Sequence, residues 1–268
     1  MAEASRKNKA VLNHEFQLKR DLRILKALAA GPATSGYVHR HFFKNTQEKP
    51  VTKQTFYDRM KKLVEMGYVK VRKYRSLRAK AGTPGGIVYL LDNRGKNEVC
   101  NSFRIERDFV RDIFPENIDV LGHELQVSEI FRVAWREVEK GTYNLDYMYD
   151  DRIMKKKIRS KENGQVFYPD IHLKILPKYK NPIALNVEVD LGTKGQSYWI
   201  KKINSWRDVS VVITLNTDRL DILKTYVRNS GRKQATGFAL ATEFERDGFA
   251  ATYWYWLPLE ARAKLDVV

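Results

Sequence analysis

A helix, a glycine and a strand follow one another in VTKQTFYDRMKKLVEMGYVKVRKYR, residues 51–75, and that succession narrows the fold more than any other feature of the chain. Phe56, Met60, Leu63 and Val64 recur at the spacing of one helical face. Thr52 stands where its side chain can cap the helix, and Gly67 ends it. Val69 and Val71 then alternate with Lys70 and Arg72, as a strand does. A basic loop, RSLRAKAGTPGG, leads to the apolar run IVYLL, which can return as the second strand of a hairpin; DNRGKNEV follows.

Two more helices are expected upstream. HEFQLKRDLRILKALAAGPA sets Phe16, Leu18, Leu22, Leu25 and Leu28 at helical spacing and stops at Gly31-Pro32. TSGYVHRHFFK reads as a short second helix, with Thr34 or Ser35 as its N-cap. Three helices followed by a hairpin with a basic tip predict a winged helix-turn-helix over residues 1–100. The pattern resembles many bacterial winged-helix proteins, in which the third helix enters the major groove and the wing touches the backbone or minor groove. Gln54, Tyr57, Asp58 and Lys61 turn away from the apolar stripe. Gln54 and Tyr57, near the start of the helix, are the candidates for base edges. Lys53, Lys61, Arg75, Arg78 and Lys80 are the candidates for phosphates.

Charge supports that reading. Residues 1–100 hold 22 Lys and Arg against 8 Asp and Glu, a net of +14, while residues 101–268 hold 27 against 24, a net of only +3. A basic module joined to a near-neutral one points to a polyanionic partner, here double-stranded DNA. A start without the apolar middle of a signal peptide, a single cysteine and the lack of any apolar run near the ~18 residues of a membrane span lead to the expectation of a soluble cytoplasmic protein.

Residues 101–118 read as connecting sequence, and residues 119–268 as a second domain. IDVLGHELQVSEIFRVAWREVEKG predicts a helix ending at Gly141, with Val120, Val127, Phe131, Ala134 and Val138 inward. Glu124 falls inside that stripe, where a carboxylate is costly unless paired or bound to a cation. His123 lies to one side of it. A strand is expected around 143–149. Pro169-Asp170 then opens a strand in which Ile171, Leu173 and Ile175 alternate. After the turn KYKNP comes a further strand, IALNVEVDLGT. Its period of two sets Val187, Val189 and Leu191 on one face, with Glu188 and Asp190 together on the other. A hairpin of these two strands brings Asp170 within reach of Glu188 and Asp190. The last stretch reads strand, helix, strand and a terminal aromatic segment.

An Asp directly after Pro on one strand, Glu-x-Asp on the next and then a helix resembles the PD-(D/E)xK nuclease fold. The resemblance implies an α/β (α+β) architecture: a mixed sheet flanked by helices, as in restriction endonucleases, behind the winged helix. It implies that Asp170 and Glu188 are the paired acids holding Mg2+ or Mn2+, with Asp190 as a further ligand and Glu124 as the first-helix acid. The metal would orient a water and neutralise charge on the scissile phosphate. One position departs from the pattern: the lysine expected two residues after the (D/E) is Asp190. Some members of the fold carry that lysine on the following helix, and in GQSYWIKKINSWRD, where Trp199, Ile203 and Trp206 face inward, Lys202 at the edge of the stripe is the candidate.

HELQVSEI, YPDIHLKI and VEVDLGT with WIKKINSW, preceded by a winged helix, are together similar to the replication-relaxation family, which includes MobC-type plasmid mobilisation relaxases. The likeness covers roughly residues 15–215. It implies nicking or processing of DNA in plasmid or mobile-element replication or transfer, with other transfer or replication proteins as further partners. The same scaffold could instead serve a non-catalytic DNA-binding accessory factor or regulator. There is no G-x-x-x-x-G-K-[ST] loop, no G-x-S-x-G elbow and no H-E-x-x-H.

Overall fold

In the computed structural model, which describes residues 18–44, 48–74, 86–111, 118–157, 167–178, 181–252, 254–257 and 259–265, the first helix, α1, spans residues 18–29. It buries Ile24, Leu25 and Leu28. The face is rotated from the expected stripe: Leu18 is 47% exposed. The turn brings Asp21 inward, where its carboxylate accepts the Arg59 guanidinium, Nε to Oδ1 at 3.1 Å. Phe16 lies outside the described residues.

The chain divides into two units, Met1–Ser128 and Glu129–Val268. In the first, α1 is followed by β1 (Ala33–Thr34), α2 (Ser35–Phe42), α3 (Lys53–Glu65), β2 (Val69–Tyr74), β3 (Gly86–Leu91) and α4 (Asn93–Phe103). Thr34 caps α2 by accepting the Tyr37 N–H at 3.2 Å, and Thr52 caps α3 by accepting that of Thr55 at 3.3 Å. Phe56, Met60 and Leu63 are the buried face of α3, with Val64 at its margin. Gly67, at φ +74°, takes the left-handed turn that ends the helix and starts β2. The two wing strands pair antiparallel from Val69–Leu91 to Tyr74–Gly86, and β1 adds to the other edge of β3, giving the order β1-β3-β2. Three helices around this small sheet make a winged helix. DNRGKNEV is the start of α4, where the Asp92 carboxylate accepts the Asn93 N–H at 2.8 Å.

Helix α5 (Ile118–Glu139) passes the division. Its buried seam lies one residue beyond the expected one at its start. Leu121 packs with Val88 and Leu90 of β3, whereas Val120 is 45% exposed. Val127, Phe131 and Ala134 are buried as their spacing requires, and Val138 is half-buried.

The second unit holds β4 (Tyr143–Asp150), α6 (Asp151–Lys157), β5 (Ile171–Pro177), β6 (Ile183–Asp190), α7 (Gln196–Asn204), β7 (Val209–Thr214), α8 (Thr217–Asn229), β8 (Thr236–Leu240), α9 (Ala241–Ala251), β9 (Trp254–Leu257) and β10 (Ala261–Ala263). Among the described residues, seven strands form one sheet in the order β10-β9-β8-β7-β6-β5-β4. Strands β4, β5 and β6 pair antiparallel; β6, β7 and β8 are parallel. The parallel steps need crossovers, supplied by α7 and α8. Trp199, Ile203 and Trp206 pack with Leu220, Leu223 and Val227 of α8 over Val212, Phe238 and Leu257 of the sheet. Glu137 near the end of α5 and Phe249 of α9 meet by a hydrogen bond of 2.8 Å. From α5 to β7 the elements run helix, strand, short helix, two strands, helix and strand, with β4–β6 antiparallel and β7 parallel to β6, a mixed α/β arrangement. The aromatic tail is core: Trp254 and Trp256 are fully buried. Among the described residues no helix is long and apolar enough to cross a membrane.

Candidate functional site

Strand β6 is central, so both its faces are covered, and Glu188 and Asp190 are buried rather than solvated, at 5% and 3% exposure. Ile171 pairs with Val187 across β5 and β6; Asp170, one residue before, comes opposite Glu188. The Asp170 N–H donates to Glu188 Oε2 at 3.3 Å, and Asp170 Oδ2 accepts the Val189 N–H at 2.8 Å. Backbone amides thus hold both carboxylates at the mouth of the β5–β6 pair.

Lys202 completes this group. On β6, Glu188 shares register with Val212 of β7, so it points to the face covered by α7 and α8. Trp199, Ile203 and Trp206 lock α7 onto that face, and Lys202, 5% exposed, donates its ammonium to Glu188 Oε1. The cation also lies 5.7 Å from the centre of the Tyr198 ring and 5.6 Å from that of Trp206. Sequence spacing put Lys202 at the edge of the inward stripe; docking of the helix takes it inside. Burial alone would lower its pKa, but the carboxylates of Glu188 and Asp170 outweigh burial and hold the ammonium above the usual lysine range.

Asp190 faces a different cation. Arg219 of α8 grips it through two nitrogens, Nε to Oδ2 at 2.5 Å and Nη2 to Oδ1 at 3.0 Å, and Asp190 Oδ2 also accepts the Gly192 N–H at 3.1 Å. Arg219 further donates to the Lys194 carbonyl at 2.6 Å. The hydrogen bond to Asp190, more than any other effect, raises the Arg219 pKa. This fork ties the turn after β6 to the start of α8. Arg219 was not a sequence candidate, since no local pattern marks a partner 29 residues downstream.

Glu124 belongs to the first unit, and its cation is Arg111, whose Nη2 donates to Oε2 at 2.5 Å. His123 Nδ1 stands 4.0 Å from the other carboxylate oxygen. Among the described residues, no three His, Cys, Asp or Glu side chains are grouped so as to hold a metal ion. What the structure brings together is a pair of acids, Asp170 and Glu188, with Lys202.

On α3, Lys53, Gln54, Tyr57 and Lys61 are all exposed on the side away from Phe56, Met60 and Leu63. Gln54 Nε2 donates to Asp58 Oδ1 at 2.7 Å, and Lys61 is 3.8 Å from Glu65. Arg72 and Lys73 of β2 are exposed as well; the strand alternation marks Arg72 but not Lys73. Arg75, Arg78 and Lys80 lie outside the described residues.

No family model and no curated protein matches the chain. Among solved structures, the crystal structure of Bacillus subtilis PadR in complex with operator DNA aligns with 56% of this chain and 82% of that one, at 17% identity and a TM-score of 0.24. The winged-helix assignment rests on the element order and strand pairing described above.

Proposed function

We propose that the chain is a DNA-binding protein that docks on duplex DNA through its winged helix and carries, in its second unit, a site that nicks or processes DNA. The observation that carries the first part is the exposed row Lys53, Gln54, Tyr57 and Lys61 on α3, set in a segment of net charge +14. Lysines there would neutralise phosphates, and Gln54 would offer its amide to a base edge.

The second part rests on Asp170, Glu188 and Lys202. Two carboxylates are enough for Mg2+ or Mn2+ when a substrate phosphate and waters supply the remaining ligands, so the pair fits such an ion. The ion would supply Lewis acidity at the scissile phosphate. The Val189 N–H orients Asp170, and Lys202 with the Asp170 N–H orients Glu188. With its pKa raised, Lys202 stays protonated at neutral pH. It serves as a fixed positive charge beside the phosphate and not as a general base. A role in plasmid or mobile-element replication or transfer follows from the likeness of the sequence to the replication-relaxation family.

A specific observation favours a second reading. Glu188 is closed by Lys202 and Asp190 by Arg219, as in a site that has given up catalysis and kept its fold. The chain would then be a non-catalytic accessory factor or regulator. Incubating the protein with supercoiled plasmid, with and without Mg2+ or Mn2+, separates the two. The catalytic reading predicts metal-dependent nicking that Glu188→Ala abolishes while duplex binding persists. Protein that binds duplex but leaves every plasmid form intact belongs to the second.

A further inference from the structure

The face of the sheet that carries Asp170 and Glu188 continues, on β4 and β5, as a half-open aromatic surface. Along β5, Ile171, Leu173 and Ile175 are buried, and His172 and Lys174 are half-exposed on the other side. The core of α7 and α8 packs on strands β7, β8 and β9. Among the described residues strand β4 is the sheet's edge, and there Tyr147 and Tyr149 stack with centroids 4.8 Å apart and planes within 10°. His172 joins them, 5.2 Å from Tyr147.

Hydrogen bonds fix this arrangement. His172 Nδ1 is 2.9 Å from Asn186 Oδ1 and its Nε2 is 2.8 Å from the Tyr147 hydroxyl. An imidazole that donates to Asn186 and accepts from Tyr147 satisfies both. Tyr147 and His172 are therefore fixed by hydrogen bonds, Tyr149 stacks on Tyr147, and all three rings are partly exposed. Period two places His172 and Asn186 on the same face as Asp170 and Glu188, about 7 Å along the strands.

The charge around this face is also uneven. Residues 151–180, which contain β5, hold nine Lys and Arg against three Asp and Glu, a net of +6; the rest of residues 129–268 holds fifteen of each. All the excess positive charge of residues 129–268 thus lies in that stretch of sequence, and of its cations Lys174 pairs in register with Tyr147.

We propose that Tyr147, Tyr149 and His172 form a stacking platform for the bases of an unpaired DNA strand, placed beside the Asp170–Glu188 pair. The proposal rests on the reading of the chain as a DNA-processing protein and names its substrate there as single-stranded or locally opened DNA. Flat rings accept any base, and a cation such as Lys174, opposite Tyr147, would meet the backbone, the combination by which single strands are held without sequence preference. A nucleophilic role for Tyr147 fits less well, because burial, and then the charge of Asp208, raises its pKa.

The test uses the full chain and two probes: a fluorescent oligothymidine of about twelve nucleotides and a duplex. The double variant Tyr147→Ala, Tyr149→Ala is expected to weaken oligothymidine binding about tenfold or more, while the duplex affinity stays within a factor of two. The double Phe variant keeps the rings and is expected to bind the single strand as wild type does. In wild type, an oligonucleotide carrying 5-iodouracil is expected to photocrosslink to the peptide containing Tyr147 and Tyr149. Crosslinks confined to other segments, equal single-strand affinity in the Ala variant, or a concentration-dependent dimer lost in that variant would each overturn the platform; the last would assign the face to a second copy. Duplex binding that persists in any of these cases leaves the winged-helix reading standing.

Discussion

Lys202 of α7 donates to Glu188 of β6 with both side chains buried, and this contact joins the covering helix to the carboxylate end of the sheet. Removing one partner strands the other's charge in a buried place. Lys202→Met and Glu188→Gln are each expected to cost about 3–5 kcal/mol. The double variant Lys202→Met, Glu188→Gln is expected to cost less than the sum of the two, because neither charge is left alone. Chemical denaturation of the four proteins measures this, and additive effects would show the contact to be energetically idle.

The pair also sets a pH dependence. Its folded lysine pKa is raised, so the contribution is complete below the unfolded lysine value near 10.4 and fades as pH rises through the folded value. The penalty of Lys202→Met is therefore expected to stay constant from about pH 6 to about pH 9 and to shrink only in stronger alkali. Denaturation curves over that range check it.

Asp190 is held as a structural partner of Arg219 and of the Gly192 amide. Asp190→Ala is expected to destabilise by about 3 kcal/mol. Asp190→Lys, which writes the nuclease pattern back into the sequence, sets a second cation against Arg219 and is expected to be at least as harmful, with no gain in plasmid nicking. A well-folded Asp190→Lys protein that nicks faster than wild type would return the lysine's role to this position.

A buried carboxylate outside the site makes a separate forecast. Helix α9 breaks at Gly248, φ +73°, and there Glu137 accepts the Phe249 N–H at 2.8 Å and the Tyr143 hydroxyl at 2.9 Å. A Cβ on Gly248 would collide with that carboxylate, so Gly248→Ala is expected to cost roughly 2–4 kcal/mol. Burial raises the Glu137 pKa against the pull of its hydrogen bonds. Stability should then fall as pH rises from the unfolded carboxyl range, near 4.3, through the raised folded value. Glu137→Gln is expected to flatten that slope, read by denaturation at a series of pH values.

Local periodicity carried much of this architecture. Thr52, the stripe Phe56–Met60–Leu63, Gly67 and the alternation after it describe the winged helix without any long-range knowledge, because caps, period and glycine act within a few residues. The facing of Asp170 and Glu188 is legible for the same reason: a short turn fixes a hairpin's register. Contacts across distant elements left no such mark. Arg219 reaches Asp190, Arg111 reaches Glu124 and Glu137 meets a helix break more than a hundred residues on, all set by packing. The offset from Val120 to Leu121 and the inward turn of Asp21 arise likewise, since a helix rotates to suit its neighbours. Lys202 sat on the border of a stripe, and only the docked tryptophans decide which way it faces.

Substitutions on α3 should divide by role. Lys61→Ala is expected to weaken binding on every duplex sequence by a similar factor and to reduce the salt slope by about 1. Gln54→Ala is expected to change the ranking of sequences instead. Competition among a panel of duplexes reads both, and a uniform loss for Gln54→Ala would remove it from base recognition.

The most direct measurement is a titration of the full chain with a labelled duplex of about 20 base pairs at several salt concentrations between about 50 and 200 mM. Neutralising about six phosphates predicts a slope near −5 in the plot of log affinity against log salt. Binding that is absent at the lowest salt, or that does not change with salt, would contradict the account.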